Sequence, residues 1–317
     1  MNSLHIKQFI YQLGIPCVGI APGQFPAPPP PARPCPLAAG QGAERYEPER
    51  LLSPCRSIIV MLFPYYVADP PTANLSLYCR STDYHLLIRR YLQTVEAYLH
   101  QHYPSCRTLS VADTSPLADR YLAYLAGLGF IGDNDCFIHE RYGSYCFIGS
   151  ILTTLPLTPD TPLHRECYHC GACRHACPGH CFDGADYDYR LCKSYLTQKK
   201  GSLSLPEIEV LRKTPLIFGC DMCQAVCPHN AEIPETPLND FKENRIYTLS
   251  HEAIASLSNR EFQRKYGNRA FAWRGKKILL RNMEYLRLPP SMPEQAHGYT
   301  QQQHADENRR TYNKRNE

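Results

Sequence analysis

The sequence lacks the marks of a membrane or exported chain. No apolar run approaches the roughly 20 residues of a membrane span, and the opening MNSLHIKQFIYQLGIPCVGI has no basic leader followed by a continuous apolar stretch and no small-residue cleavage site. These absences predict a cytoplasmic protein with no membrane partner. An excess of one charge is also missing, since 34 Lys and Arg against 30 Asp and Glu leave a net charge of +4. That balance by itself points to neither nucleic acid nor lipid. What the chain has in abundance is cysteine, with 16 among 317 residues. In a reducing compartment clustered thiols mean metal or catalysis rather than disulfides, and a chain this long has apolar residues enough for a core without staples.

Apolar periodicity outlines the organisation. Ile6, Phe9, Ile10 and Leu13 repeat at helical spacing, and CVGI, SIIVMLF and TLSVA are strand-length runs. Ile88, Tyr91, Leu92, Val95 and Leu99 make the stripe of a second helix, and Leu117, Tyr121, Tyr124, Leu125 and Leu128 that of a third. Strands alternating with helices predict an α/β layer structure, and the chain as a whole a fold of the α+β or α/β class, with SYCFIGSILTTLPL as the strand or hairpin that closes the first domain. The proline-rich stretch from Pro22 to Gly42, with APPPPARP inside it, reads as an extended surface excursion. After Pro162 the texture turns polar and cysteine-rich. The expected division is an α/β domain over 1–160, a small cysteine-rich domain over 161–235, a helical segment over 236–295 and a disordered tail over 296–317.

Cys167, Cys170, Cys173 and Cys177 stand in the array C-x2-C-x2-C-x3-C-P, and Cys220, Cys223 and Cys227 with Pro228 repeat its second half. This is the spacing of bacterial ferredoxins, in which three cysteines of a run bind one cubane cluster and the fourth reaches the other. Two such clusters take eight thiolates and the arrays supply seven. Cys192 and Cys181 compete for the last place, and Cys192 is preferred because Cys181 follows Cys177 too closely for one short loop to supply both. The expected sets are Cys167, Cys170, Cys173 and Cys227 on one [4Fe–4S] cluster, and Cys177, Cys192, Cys220 and Cys223 on the other. Structural zinc is the rival, but it explains neither the third cysteine of the run nor the repeated Cys-Pro. The remaining cysteines, at 17, 35, 55, 79, 106, 136, 146 and 181, share no spacing and read as small hydrophobes or unpaired thiols.

Taken in order, ADTSPL, AGLGFIG, the cysteine array, the C-x-SYLT stretch and GCDMCQAVCP resemble the epoxyqueuosine reductases, corrinoid and iron-sulfur enzymes of tRNA modification related to the reductive dehalogenases. The likeness extends to YEPERLLSPCRSIIV, the DYH of YCRSTDYH and LLRN, so it runs from about residue 5 to about residue 288. It implies a corrinoid-binding α/β domain followed by a ferredoxin-like domain, with cobalamin bound base-off beside one cluster. It also implies tRNA with a modified wobble base as substrate, an external low-potential donor of flavodoxin or ferredoxin type, and a monomer. Electrons entering through the clusters would open the epoxide, loss of its oxygen as water would leave the alkene of queuosine, and the acid that supplies a proton is the Asp matched here by Asp113.

Asp113 follows TLSVA and precedes a helix with Pro116 in its first turn, which places it at the carboxyl end of a strand, where open α/β sheets form their crevices. It is either that proton donor or, like Ser115, a helix cap. Arg80, Asp83, Tyr84 and His85 line the corrinoid or substrate site by resemblance, although Asp83 also suits an N-cap and His85 a plain surface position. Gly127, Gly129 and Gly132 would let backbone approach the cofactor, or else make a helix C-terminal turn. Ser194 and Tyr195, which follow closely on Cys192, are expected to neighbour both cluster and cofactor. From Arg260 to Arg287, nine Lys or Arg stand against two Glu, with Tyr266, Phe271 and Trp273 interleaved, as in RNA-binding segments or on a charged helix face.

Ser81 and Thr82 replace a Gly-Arg pair of the family pattern, Asp133 and Asn134 stand where Lys and another polar residue follow the glycines, and His229 stands where Trp follows the second Cys-Pro. The chain also shows no helical-repeat extension of the kind some family members carry. These departures keep two rivals open beside the enzyme. One is an iron-sulfur electron carrier without corrinoid, and the other is a corrinoid reductase of another substrate.

Overall fold

Four of the apolar runs become strands of one sheet. In this computed structural model, which describes residues 3–28, 34–70, 72–184 and 187–287, β1 (Cys17–Pro22), β2 (Ser57–Pro64) and β3 (Thr108–Val111) are joined, beyond a two-stranded hairpin of β4 (Phe130–Ile131) and β5 (Phe137–Ile138), by β6 (Cys146–Thr153). The order across the sheet is β1-β2-β6-β3, and every neighbouring pair is antiparallel. The expected mixture of helices and strands is present, and the antiparallel pairing makes this sheet α+β in kind rather than α/β. Alternation of strands and helices does not fix strand direction: β1 and β2 are joined by the proline-rich excursion and two short 3₁₀ turns that follow it, with no α-helix among the described residues between the strands. A parallel pair needs a crossover, usually helical, whereas an antiparallel pair does not. β2 and β3 run parallel to each other, as do β1 and β6, and β2 and β3 have a helix between them in the chain and β6 inserted between them in the sheet, a split βαβ unit. Of the strand or hairpin expected from SYCFIGSILTTLPL, the run supplies a single strand, and it lies inside the sheet.

β2 is buried along its whole length because both of its faces are covered. Ile58, Val60 and Leu62 join a core with Leu122, Ala123 and Ala126 of the helix α3 (Asp119–Leu125). Phe63, on the alternate face, meets Tyr91 of the long helix α2 (Tyr84–His102) at 5.6 Å between ring centroids. The first helix, α1 (Leu4–Gln12), stacks Phe9 on Tyr98 of α2.

Contacts divide the chain into two units that are not linear in sequence. The first comprises the chain to Tyr66, Tyr84–His169 and Pro234–Lys242, and the second Val67–Asp83, Cys170–Ile233 and Glu243 onward. The expected linear division missed the segment Val67–Asp83, whose backbone is stitched into the second unit: Leu75 bridges Phe218, Ile217 N–H donates to Asn74 O at 2.8 Å and Asn74 N–H to Tyr247 O at 3.0 Å. The second unit is built from short helices, α4 (Ala172–Ala176), α5 (Lys193–Leu196), α6 (Leu205–Arg212), α7 (Met222–Ala225), α8 (His251–Ala255), α9 (Asn259–Tyr266) and α10 (Lys276–Leu286). α10 is not a separate segment, since the buried Asn282 donates from Nδ2 to Thr197 O and Ile217 O, both at 2.8 Å. The tail expected over 296–317 lies outside the described residues. No described helix is long and apolar enough to cross a membrane.

Candidate functional site

Asp113 sits just beyond β3 with φ of 56°, a left-handed conformation that is uncommon for a residue with a side chain. The Thr114 N–H donates to Ala112 O at 2.7 Å, so Asp113 is the apex of a γ-turn of the rarer, strained hand. Neither Asp113 nor Ser115 caps the helix that follows. The helix begins later than the sequence suggested, at Asp119 with Ala118 in the cap position, and the Ser115 hydroxyl accepts from Leu117 N–H at 3.3 Å. Freed from capping, the Asp113 carboxylate stands 63 % exposed, with its Oδ2 accepting the Tyr84 hydroxyl and lying 3.7 Å from His85 Nε2.

A column of rings fixes that phenol. Tyr84 lies flat on Phe147 of β6 at 4.1 Å and 7°, Phe147 stacks on Tyr65 at 4.3 Å, and His85 covers the other side of Tyr84 at 4.0 Å. Beneath the turn, the Asp119 carboxylate accepts the Asp113 backbone N–H, while its Oδ1 is enclosed without a hydrogen-bond partner. Burial first, and the neighbouring Asp113 second, push the Asp119 carboxyl up to about 7. No motif in the sequence marked Asp119. Its role depends on the γ-turn folding back over the first residue of α3.

The other expected contacts divide. The Arg80 guanidinium is buried, with Nε donating to Leu75 O at 2.8 Å and Nη1 to Asp69 at 2.7 Å, and Arg245 completes the pair around that carboxylate. Asp83 stands one residue before α2 with its N–H on Asn268 O at 2.8 Å. Gly127 has φ of 69° and closes α3: its N–H bonds Tyr124 O and that of Leu128 bonds Ala123 O, a Schellman turn. Gly129 and Gly132 flank β4 and face Ile138 of β5.

In the second unit the cysteines of the expected second set converge. Gly179 approaches so closely that a Cβ there would come 1.9 Å from Leu191 O, which brings the loop after Cys177 against the residue before Cys192. Cys192 and Cys223 pack against the buried Cys177 and Cys181, and Cys192 also acts electrostatically on Cys220. The sulfurs are met by backbone amides: those of Gly179, His180 and Cys181 at Cys177, those of Ser194 and Tyr195 at Cys192, and that of Met222 at Cys220. Ser194 and Tyr195 therefore meet a thiolate through their main chain. The Cys181 thiol bonds both Cys177 and Cys192, which is the chief cause pulling each of these down to about 6 while Cys181 itself is driven up. An all-thiolate donor set ringed by amide N–H groups fits an iron-sulfur cluster, whose potential such bonds tune. In the other expected set, α4 carries Cys173 and packs on α7, which lies just ahead of Cys227; Cys170, Cys173 and Cys227 belong to the second unit and Cys167 to the first.

Three ligand atoms, from Asp133, Cys167 and His169, lie within 4.8 Å of one another, with His169 Nδ1 2.8 Å from Asp133 Oδ1. The aspartate that departs from the family pattern thus stands beside an expected cluster ligand. Of the unassigned cysteines, 17, 55, 79, 106 and 181 are buried and 35, 136 and 146 half-buried. Burial pushes the Cys17 thiol up to about 12, in keeping with an unreactive core residue.

The basic segment is only partly available. Tyr266 and Phe271 are buried in the core, because the helical period that exposes Arg264 and Lys265 turns Phe262 and Tyr266 inward. Lys276 is spent on the carbonyls of Ala255 and Leu257, and Arg281 on those of Lys199, Gly201 and Leu196. What remains exposed is Arg260, Arg264 and Lys265 on α9, Lys277 on α10, Arg287 just after it, and Trp273, whose ring carries the Arg274 guanidinium at 3.8 Å.

The chain is similar to known proteins along nearly all of this framework. Residues 45–114 match the family model described as epoxyqueuosine reductase QueG, DUF1730, and residues 166–230 the model of a 4Fe-4S double cluster binding domain. An epoxyqueuosine reductase of Bacillus anthracis is 35 % identical over 254 residues, 75 % of this chain and 65 % of that relative, so the match spans just under two thirds of its length. One of Synechococcus sp. (strain CC9605) is 35 % identical over 70 % of this chain and 71 % of its own length. A crystal structure of an epoxyqueuosine reductase with a tRNA-Tyr epoxyqueuosine-modified stem loop superposes with a TM-score of 0.77 at 25 % identity, covering 90 % of this chain and 80 % of that one.

Proposed function

Because the chain belongs to the epoxyqueuosine reductase family, we propose that it reduces epoxyqueuosine to queuosine at the wobble position of tRNA. The observation that carries this reading is the Asp113 carboxylate, exposed on a strained turn and held by Tyr84 and His85. Strain of this kind persists where the surroundings over-determine it, and it clusters at reactive sites.

The reaction converts an epoxide, two electrons and two protons into an alkene and water. Cobalamin, when bound, supplies the reduction at the epoxide carbon, and two [4Fe–4S] clusters supply the electrons singly. Cys167, Cys170, Cys173 and Cys227 would hold one cluster, and Cys177, Cys192, Cys220 and Cys223 the other. An acid, a phenol and an imidazole at one exposed point form a proton-handling group, which is the part of the work left to the protein beside a corrinoid. Asp113 delivers a proton to the departing epoxide oxygen. Tyr84 fixes the carboxyl through its hydroxyl, and His85, 3.7 Å away, restores the proton between turnovers. The exposed Arg260, Arg264, Lys265 and Trp273 are the groups suited to tRNA phosphates and an unpaired base. A low-potential flavodoxin or ferredoxin serves as donor, and the chain acts as a cytoplasmic monomer.

Anaerobic purification with cobalamin, followed by iron, zinc and cobalt analysis and an assay on tRNA carrying epoxyqueuosine, tests the reading. About eight irons, one cobalt and turnover are expected. Asp113→Asn is expected to retain both metals and lose turnover by at least about a hundredfold, the scale of one general acid. Eight irons with no cobalt after reconstitution would reduce the chain to an electron carrier, and a near-normal rate for Asp113→Asn would remove the aspartate from the mechanism.

A further inference from the structure

Lys193 is among the largest fully buried side chains of the molecule, 1 % exposed, and it directly follows Cys192. Its ammonium donates to Leu211 O at 2.6 Å and Thr214 O at 2.5 Å, both at the carboxyl end of α6. Two carbonyl oxygens solvate a cation but do not neutralise it. Among the described residues no carboxylate pairs with Lys193, and the one ionisable group that acts on it is the thiol of Cys220. An ammonium taken out of water without a counter-charge is strongly unfavourable, so lysines are almost never fully buried unless paired. Cys220, which acts on Lys193, and Cys192, its neighbour in the chain, are two of the four thiolates assigned to the second cluster. Four thiolates around a [4Fe–4S] core leave a net negative charge, which grows by one on reduction.

We propose that Lys193 is the counter-ion of the second [4Fe–4S] cluster and raises its reduction potential by stabilising the reduced form. A fixed positive charge beside a cluster favours the state with one more electron, and net charge near the cluster is among the factors that set its potential. The consequence for the chain is that its second cluster accepts electrons from less strongly reducing donors than it would with a neutral residue at this place. The inference rests on the two-cluster reading above, and it concerns a redox property rather than turnover.

The test is an EPR-monitored redox titration of the anaerobically reconstituted full chain, wild type against Lys193→Met, Lys193→Gln and Lys193→Arg, with iron content measured on each. Lys193→Met is expected to keep about eight irons and to make one of the two clusters harder to reduce by at least tenfold in its reduction equilibrium, about 59 mV for one electron. The other cluster stays in place, Lys193→Gln follows Met, and Lys193→Arg stays with the wild type. Loss of one cluster in the Met and Gln variants but not in Arg would equally show that the site requires a cation. If Met or Gln holds both clusters with unshifted potentials, or if all three variants lose the cluster alike, Lys193 only caps the end of α6 and the assignment falls. A wild-type chain that takes up zinc in place of about eight irons overturns the two-cluster reading itself, an outcome the metal analysis separates from the others.

Discussion

Asp119 shows how one residue couples stability to the site. Its carboxyl is raised to about 7 chiefly by burial and secondly by Asp113, while the Asp113 N–H bond pulls the other way. A carboxyl raised on folding binds its proton more tightly in the native state than in the unfolded chain, where Asp titrates near 3.9. Stability is therefore full below about pH 4 and declines as the pH climbs through about 7. Asp119→Asn removes this decline while its amide oxygen can still accept the Asp113 N–H. Melting temperatures at pH 5 and pH 8 should differ less in the variant than in the wild type, by the equivalent of about 1–2 kcal/mol. An unchanged pH dependence would show that Asp119 is solvated in solution. The motif ADTSPLAD displayed two acids without ranking them. Asp113 was legible by resemblance, whereas Asp119 became visible only once a turn six residues earlier was seen to fold back over it.

At the scale of elements, β6 and the start of α2 act together. Phe147 is the plate on which Tyr84 lies, so the aim of the Tyr84 hydroxyl at Asp113 depends on a central strand of the sheet. Phe147→Ala leaves the Tyr84 hydroxyl in place chemically but removes the surface that orients it. We expect kcat to fall about tenfold or more with KM little changed, as misplacement of a positioned group does, and with cluster content intact. A fall in KM alone would show that the ring column serves only packing. The helix α9 is a separable element, with an apolar face of Phe262 and Tyr266 and an exposed face of Arg260, Arg264 and Lys265. Reversing these three to Glu should weaken tRNA binding and flatten its salt dependence by roughly 0.7–0.9 per lost phosphate contact. An unaltered slope would move the RNA site elsewhere. The capping box of Ser258 and Glu261 keeps the helix formed in such a variant, because neither residue is touched.

For the whole molecule, the two units differ in what holds them. The first has a four-stranded sheet with apolar residues packed on it, including Ile58, Val60 and Leu62 beneath α3. The second carries Cys173 on α4 and Cys223 on α7 and has Cys192 in the cap position of α5, helices of four or five residues that are too short to be stable alone. Metal binding in such units is folding free energy. Removing iron with a chelator should raise amide exchange over 170–233 by orders of magnitude while leaving β2 and β6 protected, as hydrogen-exchange mass spectrometry can resolve. Equal protection with and without iron would show that the thiols hold the second unit by packing alone. The sequence by itself determined the cluster chemistry, because ligand spacing is local and a C-x2-C-x2-C-x3-C-P run needs no distant partner to be read. It also located the four strands of the main sheet, since their apolar runs are local too, but not the short hairpin of β4 and β5. Only the tertiary structure decided that the sheet is antiparallel, that Val67–Asp83 joins the cysteine-rich unit, that Arg80 is engaged by Asp69, and that Tyr266 faces the core. Each of these depends on which segments meet across long stretches of chain, and strand direction, burial and ion pairing are properties of that meeting rather than of any segment alone.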